Sequence, residues 1–205
     1  MRFILISICI LSCLFIKPII AENKVRLTAG HVYAEEDTKI LIASSNVKLE
    51  YGDVKIFAPR IHLDTYSNYI WGTGNIRVHR GEDVFNSSYI FFDMNKNIVK
   101  LENIDIAVQP PDSKELLFVK ANQIEDTGEV KKGKSGIFTS CELETPHYSI
   151  WSQNFEYYPD QRIIGYNNFV YTPILFIPMY LWTPVYVYEL GERKIVWNFP
   201  SIGKK

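Results

Sequence analysis

The residues able to do chemistry are few and scattered. The four histidines, His31, His62, His79 and His147, show no paired spacing of the kind a metal site uses. There is no Cys-x-x-Cys and no glycine-rich phosphate loop. Acidic residues recur in polar turns at Asp37, Asp64 and Asp93, but the Gly-Gly-x-Gly-x-Asp repeat of calcium-binding solenoids is absent, so they read as solvated turns. Glu142, Glu144 and Glu156 are the nearest thing to a glycosidase carboxylate pair, which must converge on one cleft. They read as loop or outer-face residues. The sequence therefore predicts a protein that is not an enzyme and needs no metal or cofactor.

The first 21 residues read as a secretory signal: Arg2, an apolar run from Phe3 to Ile16, then small Ala21 before Glu22. The run is shorter than the roughly 20 residues that span a bilayer. An uncleaved anchor and a lipoprotein signal at Ile10-Leu11-Ser12-Cys13 are the alternatives. Removing Met1 to Ala21 takes away Arg2 and Lys17, leaving 20 basic against 23 acidic residues, a net charge of −3. No basic stripe exists, which argues against nucleic-acid binding. Of three cysteines, Cys9 and Cys13 lie in the leader and Cys141 is alone. It is a free thiol, a half of a bond to another chain, or a small buried hydrophobe.

What positions these residues is a repeat. An apolar anchor recurs at Val32, Ile61, Ile90, Ile124 and Phe155, at spacings of 29, 29, 34 and 31 residues. The first three anchors are followed by an acidic turn and then by an Asn-apolar pair: Asn46-Val47, Asn75-Ile76 and Asn103-Ile104. The last unit has Asn168-Phe169. Such a period means stacked supersecondary units, none of which can bury its apolar face alone. Alternation in steps of two (Val54, Ile56, Ala58; Ile104, Ile106, Val108) marks half-buried strands. Thirteen Tyr and twelve Phe favour the same reading. A small residue sits three positions before each anchor: Ala29, Ala58, Ser87, Ala121 and Ser152. Three steps along a strand reverse the side-chain face, so each unit must bend or bulge there. The expected fold is all-β: stacked hairpins forming an open, two-walled jellyroll (a β-taco) of about ten strands.

These units resemble the OstA-like domain of lipopolysaccharide transport, most closely at Ala58-Pro59-Arg60-Ile61 and Gly72-Thr73-Gly74-Asn75-Ile76. That likeness is shared by LptA, LptC and the periplasmic domain of LptD. The second half resembles the LptD group through Gly136-Ile137-Phe138-Thr139-Ser140-Cys141, His147-Tyr148-Ser149-Ile150-Trp151-Ser152, Ile163-Ile164-Gly165-Tyr166-Asn167-Asn168, Ile174-Leu175-Phe176-Ile177-Pro178-Met179-Tyr180 and the stretch from Glu192 to Gly203. It implies three regions: signal peptide 1–21, OstA-like domain 22–170, and a Pro/aromatic-rich segment 171–205 leading towards a transmembrane β-barrel. The sequence stops at Lys205, where that barrel would begin. This implies either a longer gene product or a periplasmic part that stands as its own polypeptide. The resemblance also implies a disulfide from Cys141 to the barrel.

The function implied is lipopolysaccharide transport in the periplasm, at the outer membrane. A bare acyl chain of about a dozen carbons costs on the order of 10 kcal/mol in water, at about 0.8 kcal/mol per CH₂. An open apolar trough would remove most of that cost without covalent chemistry. The lining expected is Ile56, Ile61, Leu63, Trp71, Ile76, Val78, Ile90, Phe92, Leu101, Ile104, Ile106, Ile124, Phe138, Ile150 and Phe155. The partners implied are the lipid, an LptA-like bridge protein added as a strand at the edge near Val25 to Ala34, and a β-barrel. Pro173, Pro178 and Pro184 argue against a central strand in the aromatic segment Phe169 to Tyr188, which would suit a membrane interface or a barrel contact. An adhesive or structural solenoid with a filled core and a carbohydrate-active solenoid enzyme are the rivals. Which side chains face inward separates the three.

Overall fold

The structure, a computed structural model, describes residues 24–35, 38–109, 116–143, 145–174 and 177–190. The leader with Cys9 and Cys13, Asp37, residues 110–115, Glu144, Leu175, Phe176 and everything after Leu190 lie outside them.

Alternating sequence becomes strand throughout, and no helix forms among the described residues. There are twelve strands: β1 (Arg26–Thr28), β2 (His31–Glu35), β3 (Ile40–Tyr51), β4 (Val54–Asp64), β5 (Tyr69–Arg80), β6 (Asp83–Asp93), β7 (Ile98–Val108), β8 (Leu117–Asp126), β9 (Lys131–Thr139), β10 (Ser149–Tyr158), β11 (Arg162–Ile174) and β12 (Ile177–Glu189). All belong to one antiparallel sheet in which each strand from β3 onward pairs with the next. β1 pairs Lys48 to Glu50 and β2 pairs Ile40 to Ser44, so together they form a single broken rung. The stack thus has eleven rungs, about 50 Å long at the usual strand spacing.

Each long strand changes face once near its middle. In β4, Val54, Ile56 and Ala58 are buried, Pro59 and Arg60 are exposed, and Ile61 and Leu63 are buried again. The ladder slips at the same place: between Ser44 and Val47, Phe57 and Ile61, and Thr73 and Ile76. Strands running one way make the corner with a residue at positive φ: Asn46 (51°), Gly74 (110°), Asn103 (52°), Ser135 (53°) and Asn167 (53°). Asn tolerates this left-handed conformation better than most residues, which accounts for Asn46 and Asn103 of the repeat; at two other corners the bend falls one residue before the repeating Asn, on Gly74 and Asn167. At Gly74 a Cβ would also lie 2.8 Å from Cγ of Pro59, so glycine is required twice over.

The corners fold the sheet into two walls. The upper wall holds Ile40–Ser44 and its partners and ends at the acidic turns. The lower wall holds Val47–Tyr51 and its partners. The corners form a spine, and the free ends of the walls face each other across a seam. The small residues Ala58, Ser87, Ala121 and Ser152 are all buried on the lower wall at the spine. The anchors Ile61, Ile90, Ile124 and Phe155 are the first inward residues of the upper wall, also buried. The three-residue step therefore spans the corner. The acidic turns stack as a ladder of their own. Thr65 N–H donates to the Lys39 carbonyl (3.2 Å), Met94 N–H to the Asn68 carbonyl (3.1 Å), and Asn95 Nδ2 to the Ser67 carbonyl (2.7 Å).

The boundary expected at 170/171 falls inside β11, and β12 adds a further rung to the same sheet. The aromatic segment is the end of β11 and the edge strand β12, and its prolines sit where no donor is missed. Pro173 lies beyond the last residue that β10 pairs, and Pro178 and Pro184 lie on the edge strand. In the last unit the inward position after the corner is taken by Asn168, fully buried, while Phe169 points out.

Candidate functional site

The site is the space between the walls. Thirteen of the fifteen expected lining residues face it, all at 7% exposure or less: Ile56, Ile61, Leu63, Ile76, Val78, Ile90, Phe92, Leu101, Ile104, Ile106, Ile124, Phe138 and Phe155. Ile150 also faces inward and is half-buried, packed against the core. Trp71 does not. Ile70 and Gly72 take the inward positions, and Trp71 lies on the outer face, stacked on His62 at 5.4 Å and 5° between ring planes. Two consecutive apolar residues cannot share a face of a strand, and the smaller one is inside.

The open trough expected along the whole stack is not what stands here. From β3 to β8 the walls meet, and Leu49, Ile56, Ile61, Ile70, Ile76, Ile90 and Leu101 are at most 1% exposed. Sheet faces at interior packing density leave no room for a chain of carbons. The β9–β12 end differs. A cavity of about 80 Å³ lies between Leu117, Phe138 and Ile150 of the lower wall and Ile163, Tyr186 and Tyr188 of the upper wall, with Thr139, Ser140 and Tyr148 at its rim. At the two ends of the stack inward-facing apolar side chains emerge into solvent: Val32 (57% exposed) on β2, and Met179 (39%) and Leu181 (53%) on β12. The expected docking edge, Val25 to Ala34, comprises β1 and β2, whose described partner is β3.

The seam itself is closed by polar groups that the sequence reading missed. Tyr51 donates its hydroxyl to the Met94 carbonyl (3.3 Å) and sets its ring edge-on to Phe92. Arg80, at the lower seam, donates Nη1 to the Asp126 carbonyl (2.9 Å) and lies 3.4 Å from that residue's carboxylate. Its Nη2 donates to the Asn97 carbonyl (2.9 Å) and its Nε to Asp53 (3.0 Å). Lys131, on the upper wall, pairs with Asp83 of the lower wall at 2.7 Å and lies over the Tyr157 ring at 4.9 Å. Tyr157 donates its hydroxyl to Asp83 (3.3 Å). Arg80, Asp126 and Lys131 are all buried. Burial pushes the Asp126 carboxyl above its ordinary range, outweighing the opposing pull of Lys131, the Gly128 N–H and Arg80. Burial likewise raises the Tyr157 hydroxyl, with Asp83 adding to it.

The groups first considered for chemistry do not converge. His62 stacks on Trp71, His79 meets Phe57 edge-on, and His31 is exposed. Glu142 is an exposed loop residue, and Glu156 faces outward, 3.9 Å from Lys132. The Asp64 carboxylate accepts from the Ser67 hydroxyl (2.6 Å) and from the Tyr66 and Ser67 N–H groups, which hold it below its ordinary range. The turn acid is thus satisfied by its own turn. No group of three metal-ligating side chains occurs among the described residues. Cys141 is a half-buried free thiol, with Sγ 3.7 Å from Nδ1 of His147.

No protein-family model matches this sequence, and no curated protein sequence matches it. Among solved structures, the chain is similar to LptH, described as the LptA homologous periplasmic component of the conserved lipopolysaccharide transport device from Pseudomonas aeruginosa. The alignment covers 66% of this chain and 76% of that one, at 8% identity and a TM-score of 0.28.

Proposed function

We propose that the chain carries the acyl part of lipopolysaccharide, or of a similar multi-chain lipid, between the two walls of its stack, as one component of a periplasmic transport device. The observation that carries this reading is the apolar interior. Buried apolar side chains follow one another from β3 to β11, with buried charge only at the seam, the space between the walls opens into a cavity at the β9–β12 end, and inward-facing side chains emerge at both ends of the stack. The likeness of the second half of the sequence to the LptD group supports the choice of lipid and a site of action in the periplasm near the outer membrane. The role is shielding, with no covalent step. The edges at β1, β2 and β12, each paired on one side among the described residues, suit strand addition by an LptA-like bridge protein and contact with a barrel, and Cys141 is the candidate for a bond to that barrel.

A second reading, a structural or adhesive solenoid, is favoured by the filled core of β3 to β8. The two separate at Ile150, which lines the cavity but is only half-buried, so a charge there need not unfold the stack. A photo-reactive residue at Ile150 should capture added lipopolysaccharide, and Ile150→Asp should abolish loading of a fluorescent lipid while circular dichroism keeps its strand signal. Capture no stronger than from a photo-reactive residue at Lys100, on the outer face, would leave the solenoid reading standing.

A further inference from the structure

A lipid carrier has no use for charge in its interior, yet this one buries Arg80, Asp126 and Lys131. Taking each charge out of water costs several kcal/mol, and apolar residues of the same volume would pack as well or better. Their placement explains them. All lie on the seam, none at the spine. Each joins one wall to the other: Arg80 of β5 reaches the end of β8 and the turn before β7, and Lys131 of β9 reaches Asp83 at the start of β6. No ion pair joins the walls from β10 to β12 among the described residues, and that is where the cavity lies. We propose that Arg80, Asp126, Lys131 and Asp83 form a polar clasp that holds the seam shut over β5 to β9 and confines passage of an acyl chain through the seam to the β9–β12 end. The proposal rests on the carrier reading and deepens it. Ion pairs suit such a part because they re-form in one register, whereas apolar walls can slide.

The test places single cysteines at two depths and measures their labelling by a maleimide, peptide by peptide. Val78→Cys sits in the interior next to the clasp, and Ala121→Cys sits at the spine; both parent residues are buried. Cutting the clasp with Arg80→Met, or with the milder Lys131→Met should the first not fold, is expected to speed labelling at Val78→Cys about tenfold more than at Ala121→Cys, a modest part of what breaking a buried pair can yield. An equal rise at both sites means global unfolding, and no rise means an inert seam; either overturns the clasp. Uptake of a fluorescent fatty acid is measured on the same proteins. Selective labelling without uptake by any of them keeps the clasp and removes the carrier role. Uptake whose rate ignores the clasp variants does the reverse.

Discussion

The front of the stack, β3 to β8, and its rear, β9 to β12, repeat one unit and end in different states. In the front the inward positions are mostly Ile, Leu, Val and Phe, with small residues at Gly72 and at the spine (Ala58, Ser87, Ala121), and the seam is held by Tyr51, Arg80 and Asp126. In the rear, inward positions pass to Gly133, Gly136, Ser152, Gly165 and Asn168. The Phe155 ring lies over Gly133 and Gly136, edge-on to Phe138 at 5.0 Å, and Phe138 in turn lines the cavity together with Ser152 and Gly165. Whether this fold is a filled core or a container is therefore set by side-chain volume and by what joins the seam, not by strand pairing, which is alike in both halves.

The sharpest way to break the difference is to remove the seam charge. Arg80→Met leaves Asp126 buried, with its nearest guanidinium gone, and strips the Asn97 carbonyl of a donor. The expected loss is about 3–5 kcal/mol, the usual cost of breaking one partner from a buried pair. It would be read as a lower urea midpoint, and hydrogen exchange across β5 to β8 should rise to the rate of β10 to β12. The contrast is Lys100→Met, which removes an exposed pair with Glu125 and should cost less than about 1 kcal/mol. Equal losses from the two would show that the seam contributes nothing special.

Gly133→Ala works from the other side. A Cβ there would overlap the Phe155 ring, so the ring must shift against Phe138, which lines the cavity, or the strands must part. Overpacking of this kind costs about 1–3 kcal/mol. The rear should become tighter, with fluorescent-lipid loading lost and the front unchanged. A neutral effect on both would mean the glycine is not what keeps the rear open.

Acid and base should separate the clasp from the turns. Asp126 binds its proton more tightly folded than unfolded, so its contribution to stability falls as pH rises from its ordinary value near 3.8 through the raised one. Asp64 is held the other way, and its contribution is lost as pH falls through its lowered value. In urea titrations between about pH 4 and about pH 7, the wild type should lose stability relative to Asp126→Asn as pH rises, by at most about 1.4 kcal/mol per unit for one proton. A relative gain would mean that Arg80 and Lys131 dominate the carboxylate.

Much of this was legible because the repeat is local. The anchor and the small residue three positions earlier lie within one strand, the Asn follows on the next strand of the same hairpin, and period two assigns their faces. The charged clasp was not legible, because Arg80 meets Asp126 46 positions on, and nothing near either residue marks the other. Arg80, beside Gly81, reads as the start of a turn. Trp71 was misplaced because size was given more weight than parity. The aromatic segment's prolines argue only against a central strand, and which edge strand it forms is set by pairing with β11 that nothing local marks.

The corner offers the smallest and most discriminating effect. Asn103 holds φ at 52° and donates Nδ2 to the Ser88 hydroxyl at 2.8 Å, on the exposed side of the spine. Asn103→Ala loses that bond and places a Cβ in a conformation costing roughly 1–2 kcal/mol for most residues, less the share Asn already bears. The net loss should be about 1 kcal/mol. Asn103→Gly loses the same bond but relieves the strain, and adds entropy to the unfolded chain, so it should lie between wild type and alanine. That order, Asn above Gly above Ala in urea midpoint, follows only if the bend is a backbone device. If Ala and Gly cost the same, the hydrogen bond holds this corner, and the bends at Gly74 and Ser135, which have no Asn side chain, have a different cause.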